Sequence, residues 1–429
     1  MQNETKHVSR RKFLGQAQVA GAAATAFTII KPELVRGAGK EILKAGVVGC
    51  GGRGTQAIVD HLTGTQNTEV VAMGDLFEDR LTSSLRRLRE DASLAPIRDR
   101  VKVTGEKQFV GFDAFQKVIN SDVDIVFLCT PPGYRPAHFE AAIAAKKHVF
   151  CEKPFGTDPV GVRRFMDAAK KSEELKLTVM SGAQRRFQKN YMEAVDKIKN
   201  GDIGEVRATY AYWVGSPVIQ QQSRDPKWGD MTWQHRNWYS FVWICGDQVV
   251  EQHLHNIDVC NWVMGTHPTK VVATGGAIWR PRTEIYGNIY DHVSADFEYP
   301  NGVRMSSYCR QFPKGAYGNV SEMIVGSKGV FDSRKLVPPR TAGLPTGYVG
   351  EHTAMVASIR GDGPYINHAM PVAESTLTCI MARESAYSGL EITWDMIMNS
   401  KQDLQPKAFA YDQKMEVPAL PVPGEYKFV

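Results

Sequence analysis

"ILKAGVVGCGGRGTQAIVDHL", residues 42–62, begins with an apolar run, continues through a G-x-G-x-x-G motif and ends with apolar residues at helical spacing. A strand, a glycine loop and a helix in this order are typical of a dinucleotide-binding domain; a glycine loop of another kind is the alternative. The first glycine permits a tight turn, the second lets the backbone approach a pyrophosphate, and the third lets helix pack on strand. The loop residues predicted to bind the cofactor are Gly49, Gly51, Gly52, Arg53 and Gly54.

The next predicted strand ends in Asp75, 21 residues after Gly54. An acid at this position accepts hydrogen bonds from a ribose 2′-hydroxyl and repels a 2′-phosphate. We therefore expect NAD rather than NADP as the cofactor. The alternative is that Asp75 only caps the helix that follows.

Further strands alternate with helices along the first part of the chain. "DIVFLCT" (residues 124–130) is a nearly continuous apolar run, as in a parallel strand covered on both faces. A helical segment and the strand "HVFCEKP" (residues 148–154) follow. Ligands bind at the carboxyl ends of such strands, so Glu152 and Lys153 are expected at the mouth of a site. For Lys153, an ordinary surface lysine is the alternative.

The second part of the chain carries β-type runs, with Pro300-Asn301-Gly302 between two alternating segments as a hairpin signal. The predicted fold is α/β: an N-terminal Rossmann, doubly wound parallel sheet plus a C-terminal α+β domain with a large open, mostly antiparallel sheet. The predicted divisions are a signal and linker at 1–40, a nucleotide-binding domain at 41–185, a substrate-binding domain at 186–400, and an irregular tail at 401–429.

Several motifs in this order resemble the Gfo/Idh/MocA oxidoreductases, beyond the glycine loop. They are "TPP" at 130–132 followed by His138, "EKP" at 152–154, "RRF" at 185–187, "GDIGEV" at 201–206 and "GSKG" at 326–329. The resemblance implies a nicotinamide cofactor, a carbohydrate-type substrate, and a homodimer or homotetramer paired through the open sheet. The further residues expected to contact the cofactor are Thr130, Pro131, His138, Glu152 and Lys153.

"GDQVVEQHLHNIDVCNW" (residues 246–262) concentrates acids and histidines. As a helix bounded by glycines, it places Glu251, His255 and Asp258 on one face and excludes His253. As a strand, it would align Glu251, His253 and His255 as a metal trio. H-E-x-x-H is absent and the helix lacks a third ligand, so no metal is expected. Two interpretations of the helix remain. Its polar face is buried and hydrogen-bonded, or it is a proton-transfer site in which a carboxylate orients His255 and favours the protonated form of the imidazole.

The resemblance implies that His255 is the general base, that Lys153 polarises the substrate hydroxyl, and that the acid at position 251 binds substrate and His255. The family typically has Asp where this chain has Glu251, and the extra methylene shifts that carboxylate. An aromatic insert at 222–243 would grip a sugar ring or serve as packing. The residues expected to bind substrate are Lys153, Arg186, Trp238, Tyr239, Glu251, His255 and Asp258.

These features predict an NAD(P)-dependent oxidoreductase that transfers hydride between nicotinamide and a secondary hydroxyl or ketone of a sugar, polyol or glycoside. One alternative is an NAD-dependent glycosidase that oxidises, eliminates, hydrates and reduces while keeping its NAD tightly bound. Another is a non-catalytic, cofactor-bound sugar sensor, which the presence of both Lys153 and His255 disfavours.

Composition and charge argue against several other classes of protein. A net charge of +6 without a basic stripe argues against nucleic acid as a partner. Seven scattered cysteines without a C-x-x-C pair predict buried free thiols.

Arg10 and Arg11 before an alanine-rich segment resemble a twin-arginine signal, which predicts recognition by that export machinery and a periplasmic protein. The alternative is a disordered basic tail on a cytoplasmic protein.

Overall fold

The computed structural model describes residues 41–217, 221–280, 283–313, 315–338, 343 and 345–429. The predicted twin-arginine signal at 1–40 lies outside the described residues. Within the described ranges, no helix is both long and apolar enough to cross a membrane.

The first sheet has six strands, and every neighbouring pair is parallel. Its order is β3-β2-β1-β4-β5-β6. The middle strands β1, β4 and β5 are almost wholly buried, which explains their continuous apolar sequence. The predicted doubly wound sheet is confirmed. The strands are β1 (Leu43–Val48), β2 (Thr68–Asp75), β3 (Gln108–Val110), β4 (Ile125–Leu128), β5 (His148–Cys151) and β6 (Val179–Ser181).

Helices cover this sheet, and α1 starts directly after the glycine turn that ends β1. The side chain of Asp158 caps α6 by accepting a hydrogen bond from the amide of Gly161 at 2.6 Å. These helices are α1 (Gly52–Gly64), α2 (Glu78–Glu90), α3 (Ala95–Arg98), α4 (Ala114–Ile119), α5 (Arg135–Ala144) and α6 (Pro159–Glu174).

The second sheet has seven strands in the order β12-β11-β7-β10-β9-β8-β13. Only β7 and β10 pair in parallel; the other neighbours are antiparallel. The predicted hairpin joins β9 to β10, with Gly302 at φ +78°. The predicted mostly antiparallel sheet is therefore confirmed. Its strands are β7 (Val206–Gly215), β8 (Lys270–Gly276), β9 (His292–Glu298), β10 (Arg304–Gln311), β11 (Asn319–Gly326), β12 (Val330–Asp332) and β13 (Ile392–Thr393).

Helices pack on one face of the second sheet, and the other face is open. Along β9, Val293, Ala295 and Phe297 point into the helical layer, whereas Tyr308 on β10 is half exposed on the open face. The helices after β6 are α7 (Lys189–Lys199), α8 (Asp230–Arg236), α9 (Val242–Cys245), α10 (Gln248–Glu251), α11 (Leu254–Met264), α12 (Gly347–Arg360), α13 (Ala369–Ser388) and α14 (Trp394–Asn399).

Helix α12 lies in the range predicted for the second domain, yet it packs against α1 of the first. Asn367, which follows it, forms a parallel bridge with Val179 on β6. Residues near 347–367 therefore complete the nucleotide-binding half. The tail at 401–429 contains neither helix nor strand. All seven cysteines are free, and all except the partly buried Cys129 are buried.

Candidate active site

The glycine loop has the geometry of a phosphate-binding turn. Gly49 has φ +95°, and a Cβ on Gly54 would collide with the carbonyl oxygen of Gly49. A Cβ on Gly51 or Gly52 would meet nothing within 4 Å, so open space faces this part of the loop. The N-cap residue of α1 is Gly51, which has no side chain to cap the helix, so the amides at this end can face an anionic ligand. These residues fit the pyrophosphate of a dinucleotide.

Asp75 ends β2 beside that loop. Its carboxylate accepts hydrogen bonds from the amide of Cys50 at 2.6 Å and from the amide of Phe77 at 2.8 Å. Burial raises the pKa of Asp75, while these two amides act in the opposite direction. The residue is thus held by the loop at the position expected for a ribose contact.

Arg53 connects the glycine loop to the EKP motif. Its guanidinium donates to the carboxylate of Glu152, to Asp60 at 2.9 Å and to Glu351 at 3.3 Å. It also lies 4.7 Å from the ring centre of Tyr348. Burial lowers the pKa of Arg53, but Glu152 and Glu351 more than offset this, so Arg53 stays charged. Two residues predicted to contact the cofactor therefore also bind each other.

Thr130 and His138 lie behind the loop that follows β4. The Thr130 hydroxyl is 3.4 Å from Nδ1 of His138. The His138 ring stacks on Phe115 with 4.0 Å between ring centres, and burial lowers its pKa to about 3. His138 is therefore a neutral packing residue that supports the loop. The following Pro131 precedes a short 3-10 turn at Pro132–Tyr134.

Lys153 and Glu251 meet between the two halves of the chain. The Lys153 ammonium lies 3.0 Å from Oε1 of Glu251 and also donates to the main-chain carbonyl of Glu251. The second carboxylate oxygen of Glu251 accepts from Nε2 of Gln252 at 2.6 Å. Both side chains of the ion pair are less than a tenth exposed. The structure brings these two predicted residues together.

The segment predicted as one helix is two helices, which corrects that expectation. Helix α10 ends at Glu251, and α11 starts at Leu254. The amide of His255 donates to the carbonyl of Gln252 at 3.2 Å, so the carbonyl of Glu251 is free to accept from Lys153. The lysine thus takes the place of a helical hydrogen bond at the break. The predicted glycine boundaries hold, with Gly246 at φ +86° and Gly265 at φ +68°.

His255 lies in the first turn of α11 and is partly buried, with its ring stacked on Trp213 at 5.9 Å between centres. The expected hydrogen bond from His255 to the Glu251 carboxylate is not formed within the described residues; the two carboxylate oxygens accept from Lys153 and Gln252 instead. Nδ1 of His255 has no hydrogen-bond partner within the described residues. Burial and then the Lys153 cation lower the pKa of His255 well below its usual value, which reverses the raised basicity expected from a carboxylate neighbour. The neutral imidazole is a proton acceptor.

Other polar residues of this segment are bound elsewhere. His253 is fully buried and bonds Ser307 at 2.7 Å. Asp258 is held by Arg186 through two hydrogen bonds of 2.8 Å and by Ser375 through another. Arg186 and Asp258, both predicted to bind substrate, thus pair with each other at the start of the second half.

The aromatic insert is mainly packing. Trp233 and Trp243 are buried in a cluster that includes tail residues Leu404 and Met415. Tyr239 is 1% exposed, and its hydroxyl accepts from Nε2 of Gln311 at 2.7 Å. Trp238 remains partly exposed.

The contacts of the tail with the nucleotide-binding half could not be predicted from the sequence. The hydroxyl of Tyr411 donates to the carbonyl of Leu76 at 2.7 Å, one residue after Asp75. Its ring lies 5.1 Å from that of Phe112, just beyond β3. The irregular tail carries no pattern that would predict where it docks.

The insert holds the tail in this position. The amide of Met231 donates to the carbonyl of Gln413 at 3.2 Å, and the hydroxyl of Thr232 donates to the carbonyl of Tyr411 at 2.8 Å. Arg236 binds Asp79 at 2.7 and 2.8 Å. Tail and insert together cover the carboxyl ends of β2 and β3.

Within the described ranges, no group of three or more His, Cys, Asp or Glu side chains could hold a metal ion.

Inositol dehydrogenases are among the proteins of similar sequence. A myo-inositol 2-dehydrogenase of Thermotoga maritima is 26% identical over 236 residues, 55% of this chain and 59% of the relative. An inositol 2-dehydrogenase of Rhizobium meliloti is 27% identical over 49% of this chain and 56% of the relative. The chain thus spans under two thirds of the length of these relatives.

Solved structures share the fold. Scyllo-inositol dehydrogenase from Lactobacillus casei with bound NAD(H) and scyllo-inositol superimposes with a TM-score of 0.63, at 20% identity, over 82% of this chain and 99% of the other. Aldose-aldose oxidoreductase from Caulobacter crescentus superimposes with a TM-score of 0.60, at 16% identity, over 82% of this chain and all of the other.

Family assignment rests on two matches that together span well over half of the sequence. Residues 43–181 match the oxidoreductase family's NAD-binding Rossmann fold, and residues 191–332 match the GFO/IDH/MocA C-terminal domain. The chain therefore belongs to the GFO/IDH/MocA oxidoreductases and has their NAD-binding domain.

Proposed function

We propose that the protein transfers hydride between NAD and a secondary hydroxyl of a polyol or sugar, the class named in the inositol dehydrogenase relatives. The observation that carries the proposal is the position of neutral His255 near the Lys153–Glu251 pair, at the carboxyl edge of the Rossmann sheet. Ligand sites in such sheets lie at this edge.

The glycine loop would hold the pyrophosphate and Asp75 the ribose of NAD, which supplies a hydride acceptor or donor when bound. Asp75 favours NAD over NADP, because its carboxylate repels a 2′-phosphate.

Lys153 would bind the oxygen of the reacting hydroxyl. An ammonium has three N–H donors, and Glu251 takes two of them through its carbonyl and carboxylate. The third is available for substrate, where the positive charge stabilises a developing alkoxide. Glu251 fixes the direction of that donor.

His255 would accept the proton of the same hydroxyl. Its low pKa keeps the imidazole neutral at physiological pH, so its acceptor nitrogen is available. Trp213 limits rotation of the ring by stacking against it.

The test uses the full chain, NAD, and a panel of myo-inositol, scyllo-inositol and aldoses, with reduced nicotinamide followed by absorbance. Turnover by the wild type and its loss by about 10²–10⁴-fold in His255→Gln would support the proposal. Unchanged turnover in that variant would reject His255 as the base. Binding of sugar without any cofactor redox change in the wild type would favour the sensor alternative.

A glycosidase that recycles tightly bound NAD is a second candidate, favoured by the tail and insert over the ends of β2 and β3. A covered cofactor would dissociate slowly and so would have to be regenerated in place. Release of aryl alcohol from aryl glycosides without net NADH would support this candidate. Net NADH formation from free polyols would oppose it.

We also propose that residues 1–40 direct export by the twin-arginine machinery to the periplasm, supported by Arg10 and Arg11. Replacement of both arginines by lysine should retain a fused reporter in the cytoplasm.

The open face of the second sheet, with half-exposed Tyr308, supports a homodimer or homotetramer. Light scattering of wild type and Tyr308→Lys would test this pairing.

A further inference from the structure

Arg280 is a buried cation that has no bonded anion among the described residues. It follows β8 and is 4% exposed, and its guanidinium lies 5.1 Å from the ring centre of Trp279. None of Nε, Nη1 and Nη2 has a hydrogen-bond partner among the residues that the structure describes. Burial lowers the pKa of Arg280. An unsatisfied buried guanidinium is costly and is commonly explained by a ligand, an ion or water.

Two nearby acids do not satisfy it. Asp247 accepts from the amides of Gln248 and Tyr290 and from the Tyr387 hydroxyl. Asp291 accepts from the amides of Ile278 and Trp279 and contacts His292. These carboxylates balance part of the charge on Arg280 but leave its N–H groups for another acceptor.

Two hydrogen bonds lead from Trp279, the neighbour of Arg280, to Tyr239. Nε1 of neighbouring Trp279 donates to the carbonyl of Gln311 at 2.6 Å. Gln311 donates to Tyr239, and its own Oε1 is buried without a partner within the described residues. Burial and the Glu251 carboxylate raise the pKa of Tyr239, so Tyr239 lies within electrostatic reach of Glu251.

Gln248 adds a second unsatisfied donor at this place. Cys309, on the same face of β10 as Gln311, donates to Oε1 of Gln248 at 2.8 Å. Nε2 of Gln248 is buried without a partner in the described part of the chain. Gln248 begins α10, the helix that ends in Glu251. The unsatisfied groups around Tyr239 are therefore a guanidinium, an amide donor and an amide acceptor.

We propose that Arg280 binds a carboxylate of the substrate, with Gln248 and Gln311 binding an adjacent hydroxyl. The substrate class is then an acidic sugar of the uronate type. Asp247 and Asp291 disfavour a doubly charged phosphate at the same position, whereas a single carboxylate matches the planar guanidinium. This inference rests on the proposed carbohydrate oxidoreductase activity and specifies its substrate.

The first test measures thermal unfolding of the full chain without carbohydrate. Because Arg280 has no bonded anion in the described part of the chain, Arg280→Gln should unfold at an equal or higher temperature than wild type. The exposed Arg304→Gln is the control for loss of one positive charge. A clear fall in unfolding temperature for Arg280→Gln alone would identify a structural ion pair and overturn the proposal.

The second test measures binding and turnover of glucose, glucuronate and their methyl glycosides. Wild type should bind the uronate form about 10- to 100-fold more tightly than the neutral form, as a charge-assisted pair would give. Arg280→Gln should lose this preference, and Arg280→Lys should keep only part of it.

The two proposals fail separately. Turnover of neutral sugars with no preference for uronates would overturn the role of Arg280 and leave the oxidoreductase proposal intact. An equal rise in the unfolding temperature with chloride and with glucuronate would do the same. Uronate binding that depends on Arg280, without any cofactor reduction, would overturn the oxidoreductase proposal and leave the carboxylate site standing.

Discussion

The ammonium of Lys153 lies 3.0 Å from the carboxylate of Glu251, although 98 residues separate them in sequence. Lys153 follows β5 of the Rossmann sheet, and Glu251 ends α10 in the second half. The pair therefore fixes the direction of the Lys153 ammonium through the packing of the two halves. Because the pair is buried, each charge needs the other to offset its loss of hydration.

Removal of one charge from this pair should destabilise the protein. Lys153→Met should lower the free energy of unfolding by about 3–5 kcal/mol, because Glu251 would be left buried and unpaired. Lys153→Met with Glu251→Gln should recover most of this loss. Urea denaturation measures both values, and simple addition of the two single effects would contradict the coupling.

His255 and His253 form a matched pair for separating chemistry from structure. His255→Gln should lower kcat by about 10²–10⁴-fold and leave the unfolding temperature nearly unchanged. His253→Gln should instead lower the unfolding temperature, because the buried His253 bonds Ser307 on β10. Equal losses of activity in both variants would argue against a specific role for His255.

Buried histidines should make the fold acid-sensitive. Burial lowers the pKa of His61, His138, His253 and His368 to about 3. Below pH 6.5 the unfolded chain binds protons that the folded chain does not, so stability is present above that pH and decreases toward pH 3. At pH 5, each of these histidines should lower the free energy of unfolding by about 1–2 kcal/mol relative to neutral pH.

Thermal unfolding between pH 7 and pH 5 measures this sensitivity. His138→Phe preserves a ring against Phe115 and removes one titrating group, so the dependence on pH should become shallower. A constant unfolding temperature across that range would contradict the expectation.

The glycines of the phosphate loop should respond differently to substitution. Gly54→Ala should unfold the nucleotide-binding half or weaken it severely, because its Cβ would collide with the Gly49 carbonyl. Gly51→Ala should fold normally, since its Cβ meets nothing within 4 Å, and should bind NAD weakly. Circular dichroism and calorimetric titration with NAD distinguish the two. Wild-type NAD affinity in Gly51→Ala would oppose the assignment.

The tail should slow release of NAD. Tyr411→Ala removes the ring from Phe112 and should accelerate NAD dissociation by about 10-fold, the effect of one lost aromatic contact. Tyr411→Phe removes only the hydrogen bond to Leu76 and should have a smaller effect. Stopped-flow displacement of NAD measures both rates, and equal rates in all three proteins would exclude a covering role.

Much of the fold could be predicted because its signals are local. The strand, glycine loop and helix at 42–62 and the hairpin at Gly302 depend on neighbouring residues, and the structure has both. The break between α10 and α11 could not be predicted, because it depends on Lys153 taking the carbonyl of Glu251. A distant side chain decided the local backbone there.

The sequence by itself determined the Rossmann domain, the NAD preference expected from Asp75, and the identities of Lys153, Glu251 and His255 as candidate site residues. The tertiary structure decided their partners: Glu251 with Lys153, Asp258 with Arg186, and His255 with no carboxylate among the described residues. Spacing along a helix shows which side chains share a face, but a carboxylate binds the cation that packing brings nearest. Only the folded chain brings those cations to their acids, which is why the orientation of the site came from tertiary structure.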